Sequence, residues 1–424
     1  MLLWFFCILA LSAQAGPIST INRHDKLDLE YQDAAVVPTF LQGLAALEQN
    51  HLPKARQAFE AVLKQDPNFV PALVGLAGIS NSAGNDQQTM QYLDQAHKIA
   101  PKAAIVFLAK GRFFLSKQQL GEAEQQFLLA KDLQSNSGHA AKISLGELYL
   151  RDSKRVPEAL ELFQQALKSD ANNGYVHYLA GVASALLAQP APAQQYFEAA
   201  VRLSPDNVMP LQALSRLLME QQRPEQAVVR LKQALDLEPT NLPILLDLSD
   251  AFAVSGQFSE ASSILNKAEQ LAPKLADVYL KKADVAQAQQ QWDSALRLYD
   301  QAIELNNQLS QAFNNKAWVL LSLKRDLPHA KLAAQQAVLL SPGSAPFHDT
   351  LAMILLELND HPAALAAIDQ AISLEAAVAE YHYHKGLIAI AMKQFAVAKQ
   401  ALQKALQLDP SSQAATQALT RIPS

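Results

Sequence analysis

Pro205, Pro239 and Pro273 stand 34 residues apart, and the sequence between them copies itself: Ala227-Val-Val-Arg-Leu231-Lys-Gln-Ala234 is answered by Ala261-Ser-Ser-Ile-Leu265-Asn-Lys-Ala268. A fixed period of this length means that one small structural unit is stacked many times. Chain length then counts units rather than domains, because a stacked array grows in one dimension without splitting its core. Placing proline at position 32 of each unit and counting back gives eleven repeats over residues 36–410, closing at Pro67, Pro101, Ser135, Ala171, Pro205, Pro239, Pro273, Asn307, Pro342, Ala376 and Pro410. Every spacing is 34 except one of 36 and one of 35.

Columns appear in this register. Positions 20 and 27 hold Ala at 20 of 22 sites, broken only by Thr89 and Val62, in a chain where Ala is one residue in six. Chance supplies about four, so the columns are structural. Two antiparallel helices approach closely only where facing side chains are small, and Ala is the best helix former. Position 24 holds Phe59, Leu93, Phe127, Phe163, Phe197, Leu231, Leu265, Tyr299, Ala334, Ile368 and Leu402, one turn from the Ala of position 20 on the same helix face. Position 8 of the first helix is small throughout, as at Gly43, Ala77, Gly111, Gly146 and Gly181. Proline at position 32 stops the second helix. Turn residues such as Gly84-Asn85, Ser255-Gly256 and His361-Pro362 separate the two helices of a unit.

The ends differ from the array. Residues 1–15 read as a secretory signal peptide: Leu2–Ala10 is an unbroken apolar run and Ala13-Gln14-Ala15 a small-x-small cleavage site, with the cut expected after Ala15. Cys7, inside that run, is the only cysteine, so the mature chain is expected to hold no disulfide, thiolate metal site or cysteine nucleophile. Residues 16–35 form a polar lead-in, and residues 411–424 a capping helix and tail with Gln413, Gln417 and Thr420 outward. The charge is −5, and no basic run exceeds two residues, which argues against nucleic acid as a partner. No apolar run after the leader reaches the length of a membrane span. The location expected is periplasmic or secreted.

The sequence A-x-x-x-F/L, then Ala, then Pro on a 34-residue period is the tetratricopeptide signature, and Leu145-Gly146-Glu147-Leu148-Tyr149 with Ala159-Leu-Glu-Leu-Phe163 comes nearest to it. The chain resembles a tetratricopeptide repeat protein over residues 36 to about 422. That resemblance implies an all-α fold, a right-handed α-solenoid of about eleven helix-turn-helix repeats plus a C-terminal capping helix. It implies no enzymatic activity and no cofactor. It also implies a concave groove, lined by the first helices, that holds a protein partner. Extracytoplasmic bacterial members of the family commonly serve as adaptors in envelope assemblies, polysaccharide export among them.

Under the family geometry, positions 2, 5, 9 and 12 of each first helix face that groove. The residues so placed include Arg112, Tyr175, Tyr178, Arg216, Asp250, Asp284, Asn314, Trp318 and Tyr383, with an apolar first repeat of Val37, Phe40, Leu44 and Leu47. Aromatic anchors among separated charges suit a protein ligand. The competing expectation is a subunit lining the path of an exported polysaccharide, with Tyr and Trp stacked on sugar rings. A carboxylate clamp is only partly matched by Asn314-Asn315-Lys316, since neighbouring repeats offer Lys281 and His384. His177, His348 and His382 recur at position 4, a packing position, and His382 and His384 are two apart on a helix, so no metal site is expected. No phosphate loop, H-E-x-x-H, G-x-S-x-G or CxxC motif is present.

Overall fold

The computed structural model describes residues 35–133 and 135–423, so the expected leader and residues 16–34 of the lead-in lie outside the described residues. All the secondary structure described is helical, in twenty-three α-helices, and the chain divides into two compact units, Met1–Gln222 and Arg223–Ser424.

The first unit holds α1 (Val37–Glu48), α2 (Leu52–Gln65), α3 (Val70–Ser82), α4 (Asp86–Ile99), α5 (Ala104–Ser116), α6 (Leu120–Lys131), α7 (Asn136–Tyr149), α8 (Val156–Ser169), α9 (Gly174–Leu186), α10 (Pro190–Leu203) and α11 (Val208–Glu220). The second holds α12 (Pro224–Leu237), α13 (Leu242–Val254), α14 (Phe258–Leu271), α15 (Ala276–Ala288), α16 (Trp292–Leu305), α17 (Ser310–Ser322), α18 (Leu327–Leu340), α19 (Ala345–Glu357), α20 (His361–Leu374), α21 (Ala379–Ala391), α22 (Phe395–Leu408) and α23 (Gln413–Thr420). Within each unit a first helix packs on the second helix of its repeat, that helix on the first helix of the next repeat, and successive first helices touch.

The pairing of sizes at positions 8 and 24 explains how the pairs fit. Where position 24 is Phe, position 8 is Gly, and the ring lies against the bare backbone: a Cβ added at Gly146 meets Phe163 Cε1 at 2.5 Å, and one at Gly181 meets Phe197 Cδ1 at 2.5 Å. Where position 24 is smaller, position 8 mostly regains a side chain, as with Leu93 and Ala77 or Ile368 and Ala352, which share buried clusters, while the eleventh repeat keeps Gly386 against Leu402 and the eighth sets Ala283 against Tyr299. Every Ala of positions 20 and 27 is buried, from Ala55 to Ala405.

Position 15 turns the chain between helices with positive φ. It is Gly at Gly84 and Gly256 and Asn50, Gln118, Ala188, Gln222, Gln290, Lys324, Asn359 and Lys393 in eight others; the fourth repeat has no such residue in its turn. The turn closes by hydrogen bonds back to the first helix, such as Ala188 N–H to Ala185 O at 2.9 Å and Gln189 N–H to Ser184 O at 2.9 Å. A side chain in this region costs about 1–2 kcal/mol, part of which Gly returns as unfolded-chain entropy. Ala188→Gly is therefore expected to raise stability by about 0.5–1 kcal/mol. Chemical denaturation of the variant beside the wild type checks this; an unchanged or lowered midpoint would show the turn to be unstrained.

The two irregular repeats keep their helices. The six-residue turn Leu150–Arg155 takes up most of the insertion in the fourth repeat, while α7 is one residue longer than the neighbouring first helices α5 and α9, and α6 two shorter than most second helices. Arg155 holds this turn in place, bonding Glu124 at 2.8 Å and Glu158 at 2.9 Å and lying 3.4 Å from the Tyr149 ring centre. The extra residue of the ninth repeat sits at Asp326, whose φ of 48° adds a second left-handed residue to that turn. At the C-terminus α23 places Ala415 and Ala418 on Leu402 and Ala405, capped by Ser412, with Gln413, Gln417 and Thr420 exposed. Ala414, expected on its apolar face, is exposed.

Candidate partner-binding face

The side chains at positions 2, 5, 6, 9 and 12 of the first helices form two clusters, one in each unit. In the first unit α5, α7 and α9 bring together Arg112, Glu147, Tyr175 and Tyr178. The Tyr175 hydroxyl donates to Glu147 Oε1 at 2.5 Å, and the Tyr175 and Tyr178 rings stack 6.3 Å apart. Burial pushes the Glu147 carboxyl above the usual carboxylate range, against the Tyr175 hydrogen bond and the nearby Arg112 and Arg151 charges, which pull it down. Burial and then the Glu147 charge raise the Tyr175 phenol. Tyr178 does not line a surface: it is 3% exposed and packs on Phe197 at 6.2 Å, so only Tyr175 of this pair is exposed. Arg216, on α11, is half-buried.

In the second unit α13, α15 and α17 bring together Asp250, Lys281, Asp284 and Asn315. Lys281 Nζ sits 2.5 Å from Asp250 Oδ2, and Asp284 Oδ1 accepts from Asn315 Nδ2 at 2.9 Å and from the Tyr299 hydroxyl at 2.7 Å. Gln287 Oε1 is also 2.7 Å from that hydroxyl, whose single proton serves one acceptor at a time. Desolvation raises both Asp250 and Asp284 above the usual carboxylate range, with Lys281 opposing it at Asp250 and the Tyr299 and Asn315 hydrogen bonds opposing it at Asp284. Beside them on α17, Asn314 is half-buried, and Trp318 is 43% exposed. Tyr383 is half-buried against the cluster that carries α23, so the cap uses its ring for packing.

Asp284 sets a pH dependence. Its folded-state pKa lies above the ordinary value of 3.8, so the folded chain holds the proton more tightly than the unfolded one. The stability this confers is complete below the unfolded pKa and is lost as pH rises through the folded one. Relative to Asp284→Asn, the wild type is therefore expected to lose stability as pH rises from about 4 upward. Urea titrations of both proteins across this range check the sign; a difference that stays flat or grows in favour of the wild type contradicts it.

Several sequence expectations change here. Phe40, Leu44 and Leu47 are buried among Phe59, Phe69 and Leu76, so the first repeat offers core rather than an apolar wall. The cations that a carboxylate clamp would draw on already have partners: Lys316 is paired with Asp300, Lys281 with Asp250, and His384 Nδ1 lies 2.6 Å from Asp349. The position-4 histidines are packing residues: Nε2 of His177, His348 and His382 each bonds the backbone oxygen of Ala171, Pro342 and Ala376, at 2.9–3.0 Å. A carbonyl only accepts, so Nε2 carries the proton in each. Tyr279 does the same to Pro273 O at 2.9 Å. Position 4 thus ties each of these repeats to the residue at position 32 of the one before. Glu147 was not singled out from the sequence, although counting to position 9 in the fourth repeat finds it. Position 24 marks Tyr299 as core filling, and its ring is fully buried while its hydroxyl reaches the cluster at Asp284. Among the described residues no group of three His, Cys, Asp or Glu could hold a metal, and no helix is long and apolar enough to cross a membrane.

Sequence profiles of the tetratricopeptide repeat match residues 40–104, 139–208 and 280–345, residues 218–285, and residues 379–412. The last of these is the eleventh repeat in the register set by proline. The CTR9 homolog protein of Arabidopsis thaliana is 29% identical over 203 residues, 45% of this chain but 18% of that protein, so the chain spans under a fifth of its length. Among solved structures, the APC/C hetero-tetramer Cut9-Hcn1 aligns over 94% of this chain and 98% of its own with a TM-score of 0.51 and 15% identity. Yeast Tom70 aligns over 92% and 96% with a TM-score of 0.51 and 13% identity. At these identities the structural likeness concerns the fold alone. Repeat period, helix pairing and profile matches agree, and the chain belongs to the tetratricopeptide repeat family of non-enzymatic scaffolds that bind protein partners.

Proposed function

We propose that this scaffold is an exported adaptor, which holds a protein of an envelope complex on the first-helix face of its second unit. The observation that carries the reading is the side-chain row on α13, α15 and α17, where an exposed Trp318 follows the carboxylates Asp250 and Asp284 on successive first helices. Large exposed aromatics are scarce on a surface that has no partner and are the commonest anchors of one that has. Export is supported by the Leu2–Ala10 run and the Ala13-Gln14-Ala15 site. A polysaccharide-lining role wants adjacent exposed rings; with Tyr178 buried, Tyr175 has none beside it from its own helix.

The test is cross-linking in intact cells followed by fractionation and mass spectrometry. The expected product is a chain beginning at Gly16, recovered outside the cytoplasm with a discrete envelope protein that is lost when Trp318 is replaced by Ala. A chain that keeps Met1 and stays in the cytoplasm overturns export. Recovery of the same proteins with the variant as with the wild type overturns the face.

A further inference from the structure

The charges on this face are not balanced. At positions 2, 5, 6 and 9 of α13, α15, α17, α19 and α21 stand six carboxylates, Asp247, Asp250, Asp277, Asp284, Asp349 and Glu380, against one lysine, Lys281, and one imidazole, His384. The same positions in the first unit hold Arg112, Arg216 and Glu147. So the acidity belongs to one stretch and is not a property of the repeat. Lys281 is already paired with Asp250, and His384 with Asp349. Asp284 takes its hydrogen bonds from neutral donors, Tyr299 and Asn315, and feels the Lys281 charge without pairing with it, while burial still holds its carboxyl above the usual range. On α17, between Asp284 of α15 and Asp349 of α19, the row carries no charge at these four positions and presents Trp318, 43% exposed, with half-buried Met353 on the next helix.

The occupant follows from charge and spacing. Packed helices lie about 10 Å apart, and an extended chain rises about 3.3 Å per residue, so a peptide crossing successive first helices advances about three residues per helix. We propose that α15, α17 and α19 dock an extended basic segment of the partner protein, with a large apolar side chain on Trp318 and Lys or Arg three residues to either side, facing Asp284 and Asp349. This rests on the reading of the face as a docking surface. The Trp ring tolerates the flanking cations as well as the apolar side chain, because its π-face attracts positive charge. An acidic segment would meet a carboxylate at both ends, Asp284 and Asp349.

The experiment is fluorescence anisotropy of a labelled peptide with Lys, Phe and Lys at three-residue spacing in a Gly/Ser background, titrated with the full chain. Control peptides replace both Lys by Glu, or Phe by Ser. The Lys–Phe–Lys peptide is expected to bind and to weaken as salt rises. Trp318→Ala and the Phe-to-Ser peptide are each expected to lose about tenfold in affinity, the size of an anchor residue. Asp284→Asn is expected to lose about threefold, the size of a partly screened charge contact. Trp318 is exposed enough for its truncation to leave the helix content unchanged, which circular dichroism verifies. Equal binding of the Glu peptide, no binding at all, or affinity indifferent to Trp318→Ala overturns the proposal. If the in-cell cross-link is lost on Trp318→Ala while the Lys–Phe–Lys peptide fails to bind, the docking face stands and the basic segment falls; if both fail, both fall.

Discussion

Phe197→Ala is expected to cost about 3–5 kcal/mol, because its ring is fully buried and rests on the bare backbone of Gly181, so its removal leaves a cavity that rigid helices close poorly. Gly181→Ala attacks the same contact from the other side. Its new Cβ meets Phe197 Cδ1 and Cε1 at 2.5 Å, closer than carbon atoms pack, and the helices must part. Overpacking of this kind costs about 1–3 kcal/mol. The informative variant is the double one. Leu93 beside Ala77 shows that a smaller residue at position 24 accommodates a methyl at position 8 within this same chain. Gly181→Ala with Phe197→Leu is therefore expected to destabilise by less than the two single changes added together, with a coupling of about 1 kcal/mol or more. Thermal or urea unfolding of the four proteins measures it, and simple additivity would mean that the size pairing at positions 8 and 24 is coincidence.

Deleting residues 345–378, one whole repeat, is expected to leave a cooperatively folded protein, whereas deleting α19 alone, residues 345–357, is expected to collapse folding of its neighbours. In the whole-repeat deletion Ala379 follows Ser344, and α21 takes the place of α19 with like residues at most buried positions, Leu355 to Ala389 and Thr350 to His384 being the exceptions. His382 replaces His348, and each bonds a position-32 carbonyl; Ile388 replaces Ile354, and both are fully buried; Gly386 replaces Ala352. Nearest-neighbour stacking then survives with one interface fewer. Removing α19 alone leaves Ala364, Ile368 and Ala371 of α20 without the helix that covers them. Circular dichroism and melting decide: unchanged helicity per residue with a cooperative transition for the first deletion, and a broad or absent transition for the second. Loss of cooperativity in both would show that the repeats do not act as interchangeable units.

The array was legible because its determinants are local and recur. Ala at positions 20 and 27, a large residue at 24 and a small one at 8 each follow from one helix-pair geometry, so eleven copies overrule any single exception such as Thr89 or Val62, both still buried. Exposure on the first-helix face was less legible, because it depends on how neighbouring repeats lean on a given side chain. Tyr178 and Trp318 occupy positions 5 and 9 of the same kind of helix. Tyr178 is covered because Tyr175 stacks on it and Phe197 lies behind it, while Trp318 stays 43% exposed. Tyr383 is half-buried because α23 packs around its end of the array, a contact no inner repeat has. Long-range hydrogen bonds were hidden for a similar reason. Asp284 and Tyr299 are 15 residues apart, and Glu147 and Tyr175 are 28 apart; neither spacing is the repeat period, so no column announces them.

The central claim, that the first helices of the second unit hold the partner, is tested most directly by a photo-reactive amino acid placed in the living cell at Gln311 or at Leu339. Gln311 is exposed at position 2 of α17 on the proposed face, and Leu339 is 73% exposed on α18, a second helix. Irradiation is expected to join position 311 to one discrete protein and position 339 to none. The same product from both positions, or one from position 339 alone, would contradict the account and put the partner on the second helices instead.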